Sequence, residues 1–135
     1  MSKLSSASGR GLLTATAAML LQASWAAYAN HAHGWQYGVG AAVAQGASSF
    51  SMTFLITLVI EALFNLFKAY PAPLKLLLIF VLAVLTMLAM QIGVHLLAGT
   101  PELFLTIAPP ATLGTGYCFF YTLGRVYLGK SRKPV

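Results

Sequence analysis

The chain has 135 residues, of which 59% are hydrophobic and only 7% are charged. Because soluble domains carry about 25% charged residues, this composition excludes an ordinary soluble domain and predicts a single all-α membrane domain over residues 1–135. A net charge of +6 is typical of nucleic-acid binding in a soluble protein. Here the basic residues border apolar stretches, so we expect membrane lipids and no nucleic acid as partners.

The Lys and Arg residues fall into three clusters. They are Lys3 and Arg10, then Lys68 and Lys75, then Arg125, Lys130, Arg132 and Lys133. The stretches 11–67 and 76–124 between them contain no Lys or Arg, and each is about twice the ~20 residues that a membrane-crossing helix needs. Lys and Arg collect on the cytoplasmic side. The pattern therefore predicts four transmembrane helices as two hairpins in a bacterial-type inner membrane, with cytoplasmic tails at 1–10 and 129–135.

The first predicted helix, residues 11–29, is rich in Ala and Thr. An alternative is a secretory signal peptide that ends at the Ala-Tyr-Ala motif of residues 27–29. The apolar run is longer than is usual for a signal peptide and contains Gln22 and Trp25, which favours a retained helix. Both interpretations place residue 30 outside.

An outer loop, residues 30–37, is bordered by Trp and Tyr side chains of the kind that lie at membrane interfaces. The second helix is predicted over 41–66. Gly38, Ala42 and Gly46 lie four residues apart, and such rows of small residues let helices approach closely in lipid. They predict a packing face for this half of the helix, through which the chain forms a homo-oligomer or binds a membrane partner.

Pro71 and Pro73 predict an extended cytoplasmic link before the third helix, residues 74–98. The run Thr100-Pro101-Glu102 then predicts a helix start, with Thr100 as the capping residue. The fourth helix is predicted over 103–126.

Pro109 and Pro110 interrupt the fourth helix and predict a kink or a break there. Gly114 and Gly116 follow closely. Non-helical backbone at membrane depth persists only where protein or water covers it. This region is therefore a candidate substrate site and the moving part of a carrier.

The pattern Phe-x-x-Thr-Leu occurs at residues 54–58 and again at 119–123. Both hairpins would begin on the inner side. The recurrence is consistent with a parallel internal repeat, related by an axis along the membrane normal.

Glu61 lies within the second predicted helix, and an ionisable residue at the bilayer centre costs at least ~2.5–3.5 kcal/mol. Such a residue is a functional hypothesis by default, so Glu61 is the candidate coupling residue for a proton or a cation. The alternative is that Glu61 reaches the inner interface or pairs with Lys68 or Arg125. Arg125 is included among the candidate site residues.

Gln91 and His95 are four residues apart and share a helix face. They predict a hydrogen-bonded pair against another helix, or a substrate contact. Gln22 and Gln45 have the same predicted structural role.

His31, His33, His95 and Glu102 all fall on the predicted outer side and have the ligand types of zinc or copper sites. Their spacing is not specific, and we predict no metal and no cofactor. The single Cys118 is expected to be a small buried packing residue.

With two acidic residues the chain has no paired-carboxylate site, and it contains no nucleophile elbow, phosphate-binding loop or zinc-enzyme motif. An enzyme is therefore not expected. The sequence favours a small transporter or flippase-type carrier of a lipid-linked or amphipathic substrate. The alternative is an accessory subunit that stabilises or positions a larger membrane partner.

In size and layout the chain resembles the small multidrug-resistance transporters and the GtrA-like proteins, which are associated with lipid-linked sugars. The first family carries its coupling Glu in the first span, whereas Glu61 lies in the second. The second family has a Ser/Asn-Phe pair followed by Asn-Arg, but Ser49-Phe50 is followed by no such pair. The likeness is one of layout, and the chain is assigned to neither family.

Overall fold

The computed structural model of the chain describes residues 2–128, with side-chain surroundings from residue 16 onward. Within this range the chain contains helices and turns and no β-strand, which confirms the predicted all-α class. Its four α-helices are α1 (Ser2–Asn30), α2 (Trp35–Leu66), α3 (Ala72–Leu97) and α4 (Leu103–Leu123). A π-helical turn, Gly124–Leu128, continues α4. The tail predicted over 129–135 lies outside the described residues.

Among the described helices, three are long and apolar enough to cross a membrane: α2, α3, and α4 together with its π-helical turn. The 29-residue α1 is not one of them. The segment 1–10, predicted to be a tail, is helical from Ser2.

The connection between α1 and α2 is tighter than the predicted loop of residues 30–37. A single 3-10 turn, His31–His33, follows α1 directly. Gly34 then has a φ of +111°, a backbone conformation that glycine adopts without steric penalty. The Gly34 amide donates to the His31 carbonyl oxygen at 3.1 Å, and α2 begins at the next residue.

The link between α2 and α3 is also shorter than predicted. Pro73 lies in the first turn of α3 instead of in an extended segment. Proline is tolerated there because the amides of a first helical turn have no intrahelical acceptor. The Lys75 amide makes an early helical hydrogen bond, to the Pro71 carbonyl oxygen at 2.9 Å.

Of the kink or break predicted in the fourth helix, the break is wrong, because α4 continues through Pro109 and Pro110. A proline at position 109 leaves the Leu105 carbonyl oxygen without its helical donor. The indole Nε1 of Trp25 donates to that oxygen at 2.9 Å, and a donor from a neighbouring helix is what makes proline tolerable inside membrane helices. The irregular backbone occurs later, in the π-helical turn Gly124–Leu128.

The chain divides into two compact units. Unit 1 comprises the residues up to Ser51 together with Gln91–Pro110, and unit 2 comprises Met52–Met90 together with the residues from Ala111 onward. The buried core of unit 2 has contributions from α2, α3 and α4. It consists of Met52, Ile56, Ile60, Ile79, Ala83, Met87 and Cys118. Since the core residues of α2 and of α3 recur every four residues, each of these helices contributes one face to the core. The prediction that Cys118 is a buried packing residue is confirmed.

In unit 1 the row of small residues on α2 packs against α1. A Cβ at Gly38 would lie 3.2 Å from the Ala27 carbonyl oxygen. At Gly46 it would lie 3.5 Å from Met19 and 3.6 Å from Ala23. The predicted packing face is confirmed, but its partner is a helix of the same chain. The expectation that a second copy binds through Gly38 and Gly46 is therefore corrected.

Candidate functional site

The carboxylate of Glu61, in unit 2, is held by two residues at the end of α4. Arg125 donates from Nε to Oε1 and from Nη2 to Oε2, both at 2.6 Å. The Tyr121 hydroxyl donates to Oε1 at 2.9 Å. Parallel hydrogen bonds of this kind between a guanidinium and a carboxylate are strong and directional. Of the two cations that the sequence offered as partners for Glu61, the pairing one is Arg125.

Tyr121 is positioned by the neighbouring Tyr117, whose hydroxyl is in turn bonded to α2. Its ring stacks on Tyr117 with a centroid separation of 5.6 Å. The Thr57 hydroxyl donates to the Thr53 carbonyl oxygen at 2.6 Å, so it accepts from the Tyr117 hydroxyl, also at 2.6 Å. Tyr117 and Tyr121 therefore fasten α4 to α2 along one face of each helix. Neither tyrosine was singled out from the sequence.

The aromatic ring of Phe64 lies close to two cations. The Arg125 Cζ atom is 4.5 Å from the ring centroid and the Lys75 Nζ atom is 5.1 Å from it. Both distances are within the ~6 Å at which a cation interacts favourably with an aromatic face. We call Glu61, Phe64, Lys75, Tyr121 and Arg125 the Glu61 cluster.

The ion pair of the Glu61 cluster remains accessible. The Glu61 side chain is 31% exposed and that of Arg125 is 37% exposed. Oε1 accepts two hydrogen bonds and Oε2 accepts one, so Glu61 competes with any anion for the Nε and Nη2 donors of Arg125. The arrangement can therefore bind an anion at Arg125 in competition with Glu61.

Unit 1 contains a separate set of buried polar side chains, centred on Gln45. The Gln45 amide nitrogen donates to Gln22 Oε1 and to Ser49 Oγ, both at 2.9 Å. Its oxygen accepts from His95 Nε2 at 2.8 Å. With a proton on Nε2, the Nδ1 atom of a neutral His95 accepts from the Thr100 hydroxyl at 2.9 Å. We call these five residues the His95 network.

The His95 network confirms the structural role predicted for Gln22 and Gln45. His95 is fully buried and both of its ring nitrogens are engaged, neither of them by Gln91. Gln91 is also buried, and within the described residues its Oε1 atom has no hydrogen-bond donor. The predicted pairing of Gln91 with His95 is therefore not formed.

The start of α4 is capped by a residue that the sequence reasoning missed. Asn30, the last residue of α1, accepts from the Glu102 amide at 2.9 Å through Oδ1. Its amide nitrogen donates to the Ala26 carbonyl oxygen at 2.9 Å and to Thr106 Oγ1 at 2.7 Å. Thr100, the predicted cap, is a member of the His95 network instead. The sequence feature that could have identified this cap is the position of Asn30, a lone polar residue at the end of the first apolar run.

The four side chains with metal-ligand chemistry do not converge. His33 Nε2 lies 2.8 Å from Glu102 Oε1, while His31 Nδ1 contacts the Tyr28 carbonyl oxygen at 2.5 Å. His95 is engaged in its own network. No group of three or more His, Cys, Asp or Glu residues able to hold a metal ion occurs in the described part of the chain.

The candidate residues of α4 differ in their surroundings. A Cβ atom added at Gly114 would overlap the Met87 sulfur atom, so the Met87 side chain would have to move to accommodate it. No neighbouring atom lies within 4 Å of a Cβ at Gly116. Pro109 and Pro110 belong to unit 1, whereas both glycines belong to unit 2.

Comparison of the chain with protein-family models, with curated proteins and with solved structures gave no match. Any function therefore has to be argued from the chemistry of the Glu61 cluster and the His95 network.

Proposed function

We propose that the protein spans a bacterial-type inner membrane four times, with both ends in the cytoplasm. The three long apolar helices support a membrane location. The segregation of Lys and Arg supports the orientation. In this proposal α1 contributes the first span through residues 11–29, because its Gln22 and Asn30 side chains find partners on α2 and α4.

Cysteine labelling tests this topology. In a Cys118→Ser background, single cysteines at the exposed positions Ala32, Pro71 and Ala98 should react from outside, inside and outside, respectively. A cysteine at Val135 should react from inside. Labelling of position 135 from outside would refute the orientation.

Within that membrane we propose a carrier of a lipid-linked or amphipathic substrate that bears an anionic group. The observation that carries the proposal is the accessible ion pair of Glu61 and Arg125 in otherwise apolar helices. An accessible ion pair stabilises a fold by only about 0–1 kcal/mol, so stability alone gives little reason for these two charges. Ionisable residues inside membrane helices mark substrate and ion pathways.

The chemistry of the pair suggests how such a carrier works. Protonation of Glu61 removes its negative charge and ends the ion pair. The Nε and Nη2 donors of Arg125 then bind the anionic group of the substrate. Deprotonation of Glu61 restores the pair and displaces that group, while the Tyr121 hydroxyl keeps the carboxylate in place.

Reconstitution into vesicles tests the carrier proposal. The assay follows the loss of fluorescence of a labelled phosphatidylglycerol when an added reductant reaches the outer leaflet. The Glu61→Gln variant keeps the shape of the side chain but cannot ionise, so it should lose transfer between leaflets while it elutes from gel filtration as the wild type does. Glu61→Asp should retain a remnant. A wild-type rate for Glu61→Gln would refute the proposal.

A second candidate is a non-transporting accessory subunit of a larger membrane complex. It is favoured by the continuous α4 helix and by the three hydrogen bonds that hold the Glu61 carboxylate. Exchanging the two charges, as Glu61→Arg with Arg125→Glu, separates the candidates. A structural pair should regain stability and partner binding, whereas a carrier should stay inactive because the cation has moved.

We also propose self-association or partner binding through the outward face of α2 in unit 1. Val39 and Val43 are 52% and 66% exposed there. Mass measurement in mild detergent tests this proposal. A monomeric mass without any co-purified protein would refute it.

A further inference from the structure

Lys75 has no side-chain carboxylate to pair with in this chain. The sequence contains only two acidic residues. Glu61 bonds to Arg125, and Glu102 bonds to His33. The Lys75 ammonium donates to a neutral group, the Lys68 carbonyl oxygen, at 3.2 Å. A negative side chain for this cation cannot come from within the chain.

The ring of Phe64 lies close to both the Lys75 ammonium and the guanidinium of Arg125. Lys75 Nζ and Arg125 Cζ are 5.1 Å and 4.5 Å from the same ring centroid. Glu61 binds the Nε and Nη2 atoms of Arg125, and no donor of its Nη1 atom is used within the described residues. Two cationic groups with spare donors therefore lie at one aromatic ring, with a single carboxylate beside them.

The aromatic residues that follow Phe64 in the sequence are typical of the depth of lipid headgroups. Tyr70 is 47% exposed and packs edge to face against Phe67 at 5.5 Å. Exposed amphipathic rings next to basic residues mark the boundary between membrane and water. In the proposed topology, this boundary is the cytoplasmic one.

We propose that Lys75 and Arg125 bind the phosphate of an anionic phospholipid headgroup at the ring of Phe64. A phosphate accepts hydrogen bonds from the ammonium as a point charge and from the guanidinium through directed donors. It also supplies the negative charge that the chain lacks. Basic pockets between membrane helices on the cytoplasmic side bind such headgroups. The inference rests on the proposed bilayer location, but it applies equally to a carrier and to an accessory subunit.

Native mass spectrometry of the full chain in detergent tests the site, with short-chain phosphatidylglycerol as the probe. A basic residue near an anionic surface is worth about fivefold in affinity, so Lys75→Gln should weaken binding by about fivefold or more. Lys75→Arg should restore it. Lys68→Gln is the matched control, because it removes the same charge from the link that precedes α3 but keeps the carbonyl group that Lys75 contacts.

Three results would overturn the assignment. Equal losses for Lys75→Gln and Lys68→Gln would indicate general attraction between charges. Equal binding of phosphatidylcholine would show that the net charge of the lipid is not recognised. Displacement of phosphatidylglycerol by equimolar inorganic phosphate would assign the site to free phosphate. Alkaline extraction of membranes tests the bilayer location separately, so failure of the lipid site and failure of the location are distinguishable.

Discussion

Trp25 donates from its indole Nε1 to the carbonyl oxygen of Leu105, the acceptor that Pro109 deprives of its helical hydrogen bond. The distance is 2.9 Å, and the two residues are 80 positions apart in the sequence. A side chain of α1 thus replaces a backbone donor of α4. The contact explains how α4 crosses a proline without a break.

We expect Trp25→Phe to destabilise the protein by about 1 kcal/mol or more, because the Leu105 oxygen is then left without a donor. The ring contact with Tyr28 is retained in this variant. In a Pro109→Ala background the amide of residue 109 can donate to the Leu105 oxygen. Trp25→Phe should therefore lower the free energy of unfolding by less in that background. Denaturation by SDS, followed by circular dichroism, gives the free energies of unfolding of the wild type, the two single variants and the double variant. These four values form a double-mutant cycle. Equal costs in the two backgrounds would show that the indole does not replace the missing amide.

The two glycines after the prolines should respond in opposite ways to alanine. Gly114→Ala inserts a methyl group against Met87, whereas Gly116→Ala meets no neighbour and gains helix propensity. We expect Gly114→Ala to be less stable than Gly116→Ala by about 1–3 kcal/mol. The same denaturation experiment measures the difference. If Gly116→Ala is stable but inactive in the vesicle assay, position 116 needs backbone freedom for transport.

The size of the residue at position 46 should affect stability and not self-association. Alanine at this position makes ordinary contacts with Met19 and Ala23, so Gly46→Ala should be close to neutral. A leucine side chain at position 46 is too large for the space between α1 and α2. Gly46→Leu should therefore lower the free energy of unfolding by about 1–3 kcal/mol. Gel filtration in mild detergent should show one elution volume for all three proteins. A shift toward monomer in the Leu variant alone would restore the face to an intermolecular role.

Thr100→Val should destabilise the His95 network. It removes the hydroxyl that donates to His95 Nδ1 at 2.9 Å while it keeps the shape of the side chain. Leaving that buried nitrogen unpaired costs about 1–3 kcal/mol. Thr86→Val is the control, because the Thr86 hydroxyl donates only to a carbonyl oxygen of its own helix, that of Leu82. Similar losses in both variants would show that the bond to His95 contributes nothing specific.

The distribution of charged and apolar residues was enough to predict the helices, because burial of backbone polar groups in an apolar setting leaves few other choices. The end of α2 at residue 66 matches the prediction, and α3 and α4 begin within two residues of the predicted positions. The lengths of the first two loops were overestimated. The 3-10 turn His31–His33 and Gly34 reverse the chain where eight residues were expected.

The candidate site was predicted less well, because its geometry depends on contacts between distant residues. Glu61 and Arg125 are 64 positions apart, and nothing in the spacing selects Arg125 over Lys68. The failure at Pro109 has the same origin. Proline chemistry predicts a missing hydrogen bond correctly, but a donor from another helix decides whether the helix breaks.

Asn30 also determines when the protein can be completed. Its buried side chain caps the start of α4 through the Glu102 amide, 72 positions further along the chain. At ordinary rates of synthesis that interval lasts roughly 4–14 s. During this time α1 and α2 are already made, while the amide of Asn30 has none of its partners on α4. The contact between the end of α1 and the start of α4 is therefore formed only after residue 102 is made, and until then the side-chain oxygen of Asn30 lacks the donor that it has in the folded chain.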